Sequence, residues 1–336
     1  MKLLAVDDDP MILELLLETL PGLGYPDVTG AGSAAEAMKL IAEAPQGFDG
    51  FLLDIQMPGM TGIDLCRWLR DQPGHGQSPV LMITAMSDRG FIDQSFAAGA
   101  TDYVTKPFNP QELSARLQHA QKLHEERRTP VDLPQDVTTA EAQGVQMPAF
   151  SLTTPFNIAE VSGVVDLLAL ENYLLQLGRG GMIASACFAY RIQSVERLYD
   201  SCSSEEYYYT MADVAEAIAE SLAYYETFVA HAGRGGFVCV SHGHSLPEAE
   251  ELLLSIRDRL DAMELQYDDG RPMPLALNGS PQLRLGLRSG PAALDQLDRA
   301  LAEAAPSDPA PVQIRPRPAL GSLWKRLFRR ALGGLN

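Results

Sequence analysis

The stretch FLLDIQMPGMTG, residues 51–62, decides how the first third of the chain is read. An apolar run ends on a lone acid, Asp54, and a Pro-Gly turn follows at once. Such a run reads as a buried strand whose acid emerges at the C-terminal end. Similar runs occur at Leu3–Val6, Val80–Ile83 and Asp102–Val104, with a weaker one near Asp27–Gly30. Helical patterns lie between and after them, at Met11–Leu20, Ala34–Ala44, Ile63–Arg70, Phe91–Ala98 and Pro110–Leu123. Five strand–helix units in this order predict a doubly wound (βα)5 α/β domain with a parallel sheet. In such sheets the functional crevice lies at the C-terminal strand ends.

Those ends carry a coherent set of side chains. Asp7 and Asp8 follow the first strand, Asp54 the third, Thr84 the fourth and Lys106 the fifth. Three carboxylates crowded together call for a divalent cation, and an all-oxygen donor set favours Mg2+. A phosphoryl group on Asp54 would be neutralised by that metal, by Lys106 and by the Thr84 hydroxyl. Each residue alone has a plainer reading. Asp9-Pro10, for instance, is an N-cap followed by the first helical residue. Their convergence on one edge of one sheet has none.

With VDDDP, LLDIQMPGMTG, LMITA and YVTKPF in place, residues 1–124 resemble the receiver domain of bacterial two-component response regulators. The spacings match that family too, 30 residues from Asp54 to Thr84 and 22 from there to Lys106. The resemblance implies phosphorylation of Asp54 by a histidine kinase or phosphotransfer protein. It implies Mg2+ on Asp8, Asp54 and the backbone carbonyl of Gln56, with Asp7 acting through water. Thr84 and Tyr103 would form the switch pair, and Lys106-Pro107 would be a cis peptide. Met86, two residues after Thr84, cannot orient an attacking water, which favours a long-lived phosphoryl state. Phosphorylation would promote homodimerisation or docking through the fourth helix, fifth strand and fifth helix.

Residues 125–157 read as a linker, charged at Glu125–Arg128 and punctuated by Pro130, Pro134, Pro148 and Pro155. A second α/β (α+β) pattern follows over 158–305. Helices are predicted at Ile158–Leu177, Met211–Tyr225, Pro247–Met263 and Ala292–Ala304, and strands at Met182–Tyr190 and Gln282–Leu287. A hairpin pairs Phe228–Ala230 with Phe237–Val240. Its turn, Gly233-Arg234-Gly235-Gly236, precedes Phe237.

This second region resembles, in pattern more than in motif, the nucleotidyl-cyclase-like GGDEF domain that joins two GTP into cyclic di-GMP. The resemblance places Gly235 and Gly236 where that family carries acids, and Arg191, Ile192 and Gln193 where it holds metal-binding aspartates. The guanine-reading positions fall on Tyr199 and Tyr208, the late phosphate-binding lysine near Ala305, and the inhibitory site on Tyr224, Tyr225, Glu226 and Thr227. Without carboxylates, two-metal chemistry and deprotonation of a 3′-hydroxyl have no agent. A degenerate, inactive module acting through an unknown downstream protein is expected, with no cofactor of its own. The alternatives are a divergent active cyclase and a non-catalytic GTP or cyclic di-GMP effector.

The net charge of −18 over 336 residues disfavours general nucleic-acid binding, and no basic recognition helix follows the linker. No DNA partner is expected. Cys66, Cys187, Cys202 and Cys239 are scattered and read as reduced thiols of a cytoplasmic protein. MKLLAVDDDP is no signal peptide. Residues 306–336 form a basic tail, so the first 308 residues carry a net −24. In Leu323–Leu332, Leu323, Trp324, Leu327, Phe328, Ala331 and Leu332 share one helical face, with Lys325, Arg326, Arg329 and Arg330 opposite. Ten residues make a marginal helix that needs a surface. That surface is a protein groove or, in the alternative, an anionic inner membrane.

Overall fold

The computed structural model describes residues 1–44, 47–85, 89–128, 151–158, 161–243 and 246–305. The chain divides into two units, Met1–Pro130 and Val131–Asn336.

The first unit runs β1 (Lys2–Val6), α1 (Pro10–Gly22), β2 (Asp27–Ala31), α2 (Ala34–Glu43), β3 (Gly50–Asp54), α3 (Gly62–Arg70), β4 (Val80–Thr84), α4 (Arg89–Ala97), β5 (Asp102–Thr105) and α5 (Pro110–Arg128). The sheet order is β2-β1-β3-β4-β5 and every pairing is parallel. The three central strands are buried nearly end to end. Their unbroken apolar runs are therefore the signature of helices covering both faces. β2 is an edge strand and mostly half-exposed, which is why its sequence signal is weak. Capping fixes where the helices start. Asp9 accepts from the Met11 N–H, Ser33 from Glu36 and Thr61 from Asp64. α5 continues to Arg128, four residues beyond the boundary expected at 124.

Among the described residues the second unit runs α6 (Leu167–Gln176), α7 (Arg179–Ala184), β6 (Ser185–Ile192), α8 (Val195–Ser201), α9 (Ser204–Ser221), β7 (Glu226–His231), β8 (Gly236–His242), α10 (Ala249–Met263), β9 (Leu277–Gly279), β10 (Leu283–Arg284) and α11 (Gly290–Glu303). Its sheet is β10-β6-β8-β7 with β9 also on β6, and every pairing between these strands is antiparallel. Phe188, Tyr190 and Ile192 of β6 and Phe237 and Cys239 of β8 pack against α9 and α10 residues such as Met211, Ile218 and Ile256.

Several expected boundaries here move. The helix predicted from Ile158 begins at Leu167, capped by Asp166. A turn at Val161–Val164 precedes it, and Val164 bridges Val229 in parallel, with Val165 N–H donating to Val229 O at 2.8 Å. The strand predicted from Met182 begins at Ser185, because a short helix comes first. The helix predicted from Met211 starts at Ser204, set by a capping box between Ser203 and Glu206, and it ends at Ser221. The strand predicted at Gln282–Leu287 shrinks to Leu283–Arg284, and β9 joins the sheet unannounced. Residues 151–158, expected as linker and boundary, pack on the second unit: Leu152 and Phe156 lie against its core. Met86, residues 129–150 and Leu323–Leu332 lie outside the described residues.

Candidate functional site

The parallel sheet delivers its acids to one edge. Asp7 directly follows β1, and its N–H is tied to Ala31 O at 3.1 Å. Asp54 ends β3, with the next residue, Ile55, bonded to Ile83 O at 3.1 Å. The turn after Asp54 closes tightly: a Cβ at Gly62 would lie 2.0 Å from the Asp54 carbonyl oxygen, so only glycine fits. Carboxylate oxygens of Asp7, Asp8 and Asp54 come within 4.8 Å of one another. Asp7 and Asp54 are buried and Asp8 is exposed, so the cluster opens outward through Asp8.

Lys106 reaches in from the end of β5. Its Nζ lies 2.7 Å from Asp54 Oδ1 and 2.6 Å from Asp7 Oδ2. The Lys106 N–H is held by Thr84 O at 2.6 Å, and Lys106-Pro107 is cis. Thr84 ends β4 and is buried. Burial pushes the Asp54 carboxyl above the ordinary carboxylate range, Lys106 pulls it back, and Asp7 and Asp8 add to the rise. Burial alone would lower the Lys106 ammonium, but its hydrogen bonds to Asp54 and Asp7 outweigh that and raise it. Three carboxylates and one ammonium leave two uncompensated negative charges, which a divalent cation balances. The donors are all oxygen, so the residues fit Mg2+.

A crevice of about 570 Å³ adjoins the cluster, lined by Asp8, Gln56, Met57, Thr61, Arg67 and Phe91 among others. Gln56 is thus placed at the rim beside Asp8. Tyr103 points inward, is 8% exposed and meets Phe96 edge-on at 6.2 Å. Burial, then the Asp102 charge, raises its phenol. Asp102 is itself paired to Arg116 at 2.9 Å.

In the second unit the expected hairpin forms, β7 to β8. Gly233, Arg234 and Gly235 take left-handed backbone angles of 78°, 49° and 60°. Arg191 and Ile192 end β6, and Gln193 donates to Asn278 Oδ1 at 2.6 Å. Tyr199 is half-buried and packs edge-on against Tyr207. Tyr224 is 96% exposed, while Glu226 and Thr227 begin β7 and Ala305 follows α11. Sequence reasoning missed Phe156. Its ring lies 4.2 Å from that of His231 and 5.7 Å from that of Tyr208, and Arg234 N–H donates to Leu152 O at 2.6 Å. A segment upstream of α6 therefore straps the hairpin. A lone aromatic after Pro155 was its sole trace in the sequence.

A family model described as "Response regulator receiver domain" matches residues 3–118. The DNA-binding response regulator MtrA of Mycolicibacterium smegmatis is 36% identical over 152 residues, covering 45% of this chain and 61% of that protein. The transcriptional regulatory protein KdpE of Mycobacterium tuberculosis is 41% identical over 117 residues, covering 35% of this chain and 49% of that protein. The chain thus spans between half and three fifths of the length of these curated relatives. The solved chemotaxis protein CheY4 of Vibrio cholerae is 35% identical, covering 35% of this chain and 97% of that one, with a TM-score of 0.34. Among the described residues no helix is long and apolar enough to cross a membrane. The five parallel strands, the acids at their ends and the family match over the same residues agree: residues 3–118 are a response regulator receiver domain of a two-component system.

Proposed function

We propose that the chain is a response regulator switched by phosphorylation of Asp54, with a catalytically inactive, GGDEF-like second domain as its output. The observation that carries the first half is the Lys106 ammonium bridging Asp54 and Asp7 at the mouth of a three-carboxylate pocket. An Asp54 carboxylate oxygen attacks the phosphorus of a phosphohistidine on a kinase or phosphotransfer protein. The P–N bond breaks and the imidazole leaves. Asp8, Asp54 and the Gln56 carbonyl would hold Mg2+, with Asp7 acting through water, and the ion would supply charge neutralisation for the phosphoryl oxygens. Lys106 turns from Asp54 Oδ1 to a phosphoryl oxygen, and the Thr84 hydroxyl donates to another. Tyr103 then follows Thr84 and resets the face of α4, β5 and α5 for dimerisation or docking.

For the output domain, support comes from the antiparallel sheet, the hairpin position and the lack of carboxylates at Gly235, Gly236, Arg191 and Gln193. MtrA is a DNA-binding protein by name; a protein partner is proposed here instead, since residues 1–308 carry a net −24.

Two assays test the two halves. Acetyl phosphate with Mg2+ is expected to label the wild type and leave Asp54→Asn unlabelled, while GTP with Mg2+ or Mn2+ yields no cyclic di-GMP in either state. Full labelling of Asp54→Asn sinks the acceptor assignment, and steady cyclic di-GMP above a heat-killed control sinks the inactive-domain assignment.

A further inference from the structure

The second unit segregates its charge. Residues 172–195 and 270–294 contain no acid, although the chain holds 44. The two stretches meet at one end of the fold, built from the last turn of α6, α7 and the loop between β10 and α11. Leu285 N–H donates to Ser185 O at 3.0 Å, directly after α7. Gly290 packs on Leu175, where an added Cβ would lie 2.9 Å from the Leu175 Cα. Leu287 is therefore held between two anchored points. Arg288 stiffens the same loop, donating through Nη1 to Arg284 O and Leu285 O, both at 2.9 Å.

Three large aliphatic side chains stand out of this end: Leu175 is 40% exposed, Ile183 54% and Leu287 82%. Grouped exposed apolar side chains on a fixed base mark a contact surface. The same segments carry three exposed arginines, Arg179 in α7, Arg284 in β10 and Arg288 in the loop. Among the described residues none of the three makes an ion pair. α6 shows the division along its own length, with Asp166 at its N-cap, Glu171 in its middle and Leu175 near its end. Residues 1–308 as a whole carry a net −24, so this end is a local exception in sign.

We infer that this end of the second unit is a peripheral docking face for an anionic lipid bilayer. Arg179, Arg284 and Arg288 meet headgroup phosphates while Leu175, Ile183 and Leu287 enter the acyl boundary. A nucleic acid would satisfy the arginines but offers the aliphatics nothing. A protein partner would need a hollow matched to three protruding side chains from separate segments; a bilayer needs none. The acidic remainder is repelled by the same headgroups, which fixes the orientation of docking. The face is distinct from Leu323–Leu332, and its failure would leave the roles of Asp54 and the inactive-domain reading untouched.

The test is flotation of the full chain with vesicles of phosphatidylcholine alone or mixed equally with phosphatidylglycerol. The wild type is expected to float with the mixed vesicles only, and to be released by about 0.5 M salt. Arg179→Gln/Arg284→Gln and Ile183→Ser/Leu287→Ser are each expected to weaken partition at least about tenfold. All four side chains are exposed, so both variants should melt with the wild type, and Arg288 is kept because it holds the loop. No flotation of the wild type overturns the inference. Unchanged flotation of both variants also overturns it and assigns the binding to another basic segment. Self-association without lipid, lost in the same variants and unaccompanied by flotation, overturns it in favour of a second copy of the chain.

Discussion

Asp54 and His231 are both buried titratable groups, and the fold treats them in opposite ways. Asp54 keeps a charge partner, Lys106, at 2.7 Å, and its cluster reaches a crevice through Asp8, so its ion has work to do. His231 is 1% exposed, lies between the Phe156 and Phe237 rings, and receives a 3.4 Å hydrogen bond from the Phe156 N–H at Nδ1. Burial holds it down at about 3, so it folds neutral. Its folded-state pKa lies below its unfolded value of 6.5. Between those two values the unfolded chain binds the extra proton, so stability is complete above the upper one and falls as pH drops toward the lower. The slope is at most about 1.4 kcal/mol per pH unit. Urea unfolding of the second unit should therefore weaken between pH 7 and 5, and His231→Phe should flatten that decline. An equally steep decline in the variant would show that His231 is not the titrating group.

Among the elements, α3 is anchored by its last residue. Arg70 donates through Nε and Nη2 to Gly99 O at 3.0 and 2.7 Å, and through Nη1 to His75 O, Gly76 O and Ser78 O at 3.2, 3.2 and 2.7 Å. One planar fork thereby closes both the α3–β4 loop and the turn after α4. A lysine has the charge but not the fork. Arg70→Lys is expected to cost about 2–3 kcal/mol, mainly from carbonyls left unpaired, read as a lower urea midpoint. A midpoint equal to wild type would show that the fork carries little weight. The sequence foretells α3 itself but not this bond set, because its acceptors lie 5–29 residues away. The same division runs through the molecule. Strands buried on both faces announce themselves as apolar runs, and with them the residues at their ends, so the acid cluster was legible. That Lys106 would bridge Asp7 and Asp54 was not, since strand ends fix position but not side-chain pairing. In the second unit, α9 begins in the polar run SEEYYYT, which has no clear apolar period, and only the Ser203/Glu206 cap marks it. β9 is three residues, Leu-Asn-Gly, too short for any period. Phe156 meets His231 across 75 residues of sequence, a contact no local pattern encodes.

At the scale of the whole chain, two cores carry two separate jobs. Leu3, Leu52, Ile83 and Leu117 belong to one core, and Phe188, Met211, Phe237 and Ile256 to the other. Each unit buries its own apolar face, so each should unfold as its own cooperative transition. Ligation at Asp54 stabilises only the unit that holds the site. A ligand at a hundred times its dissociation constant adds about 2.7 kcal/mol to the folded state. For a receiver-sized unit that corresponds to a rise of roughly 5–10 °C. Calorimetry of the full chain with Mg2+ and beryllofluoride, a mimic of the phosphoryl group, should move one of two transitions by that amount and leave the other in place. In Asp54→Asn neither should move. Two transitions shifting together in the wild type would mean that the free energy of ligation at Asp54 already reaches the second core. The strap at Leu152–Phe156, which holds the hairpin and follows residues 129–150, would then be the first place to cut that coupling, by Phe156→Ala. Independent transitions would mean instead that the phosphoryl signal leaves the receiver through its own surface, by dimerisation or docking on α4, β5 and α5.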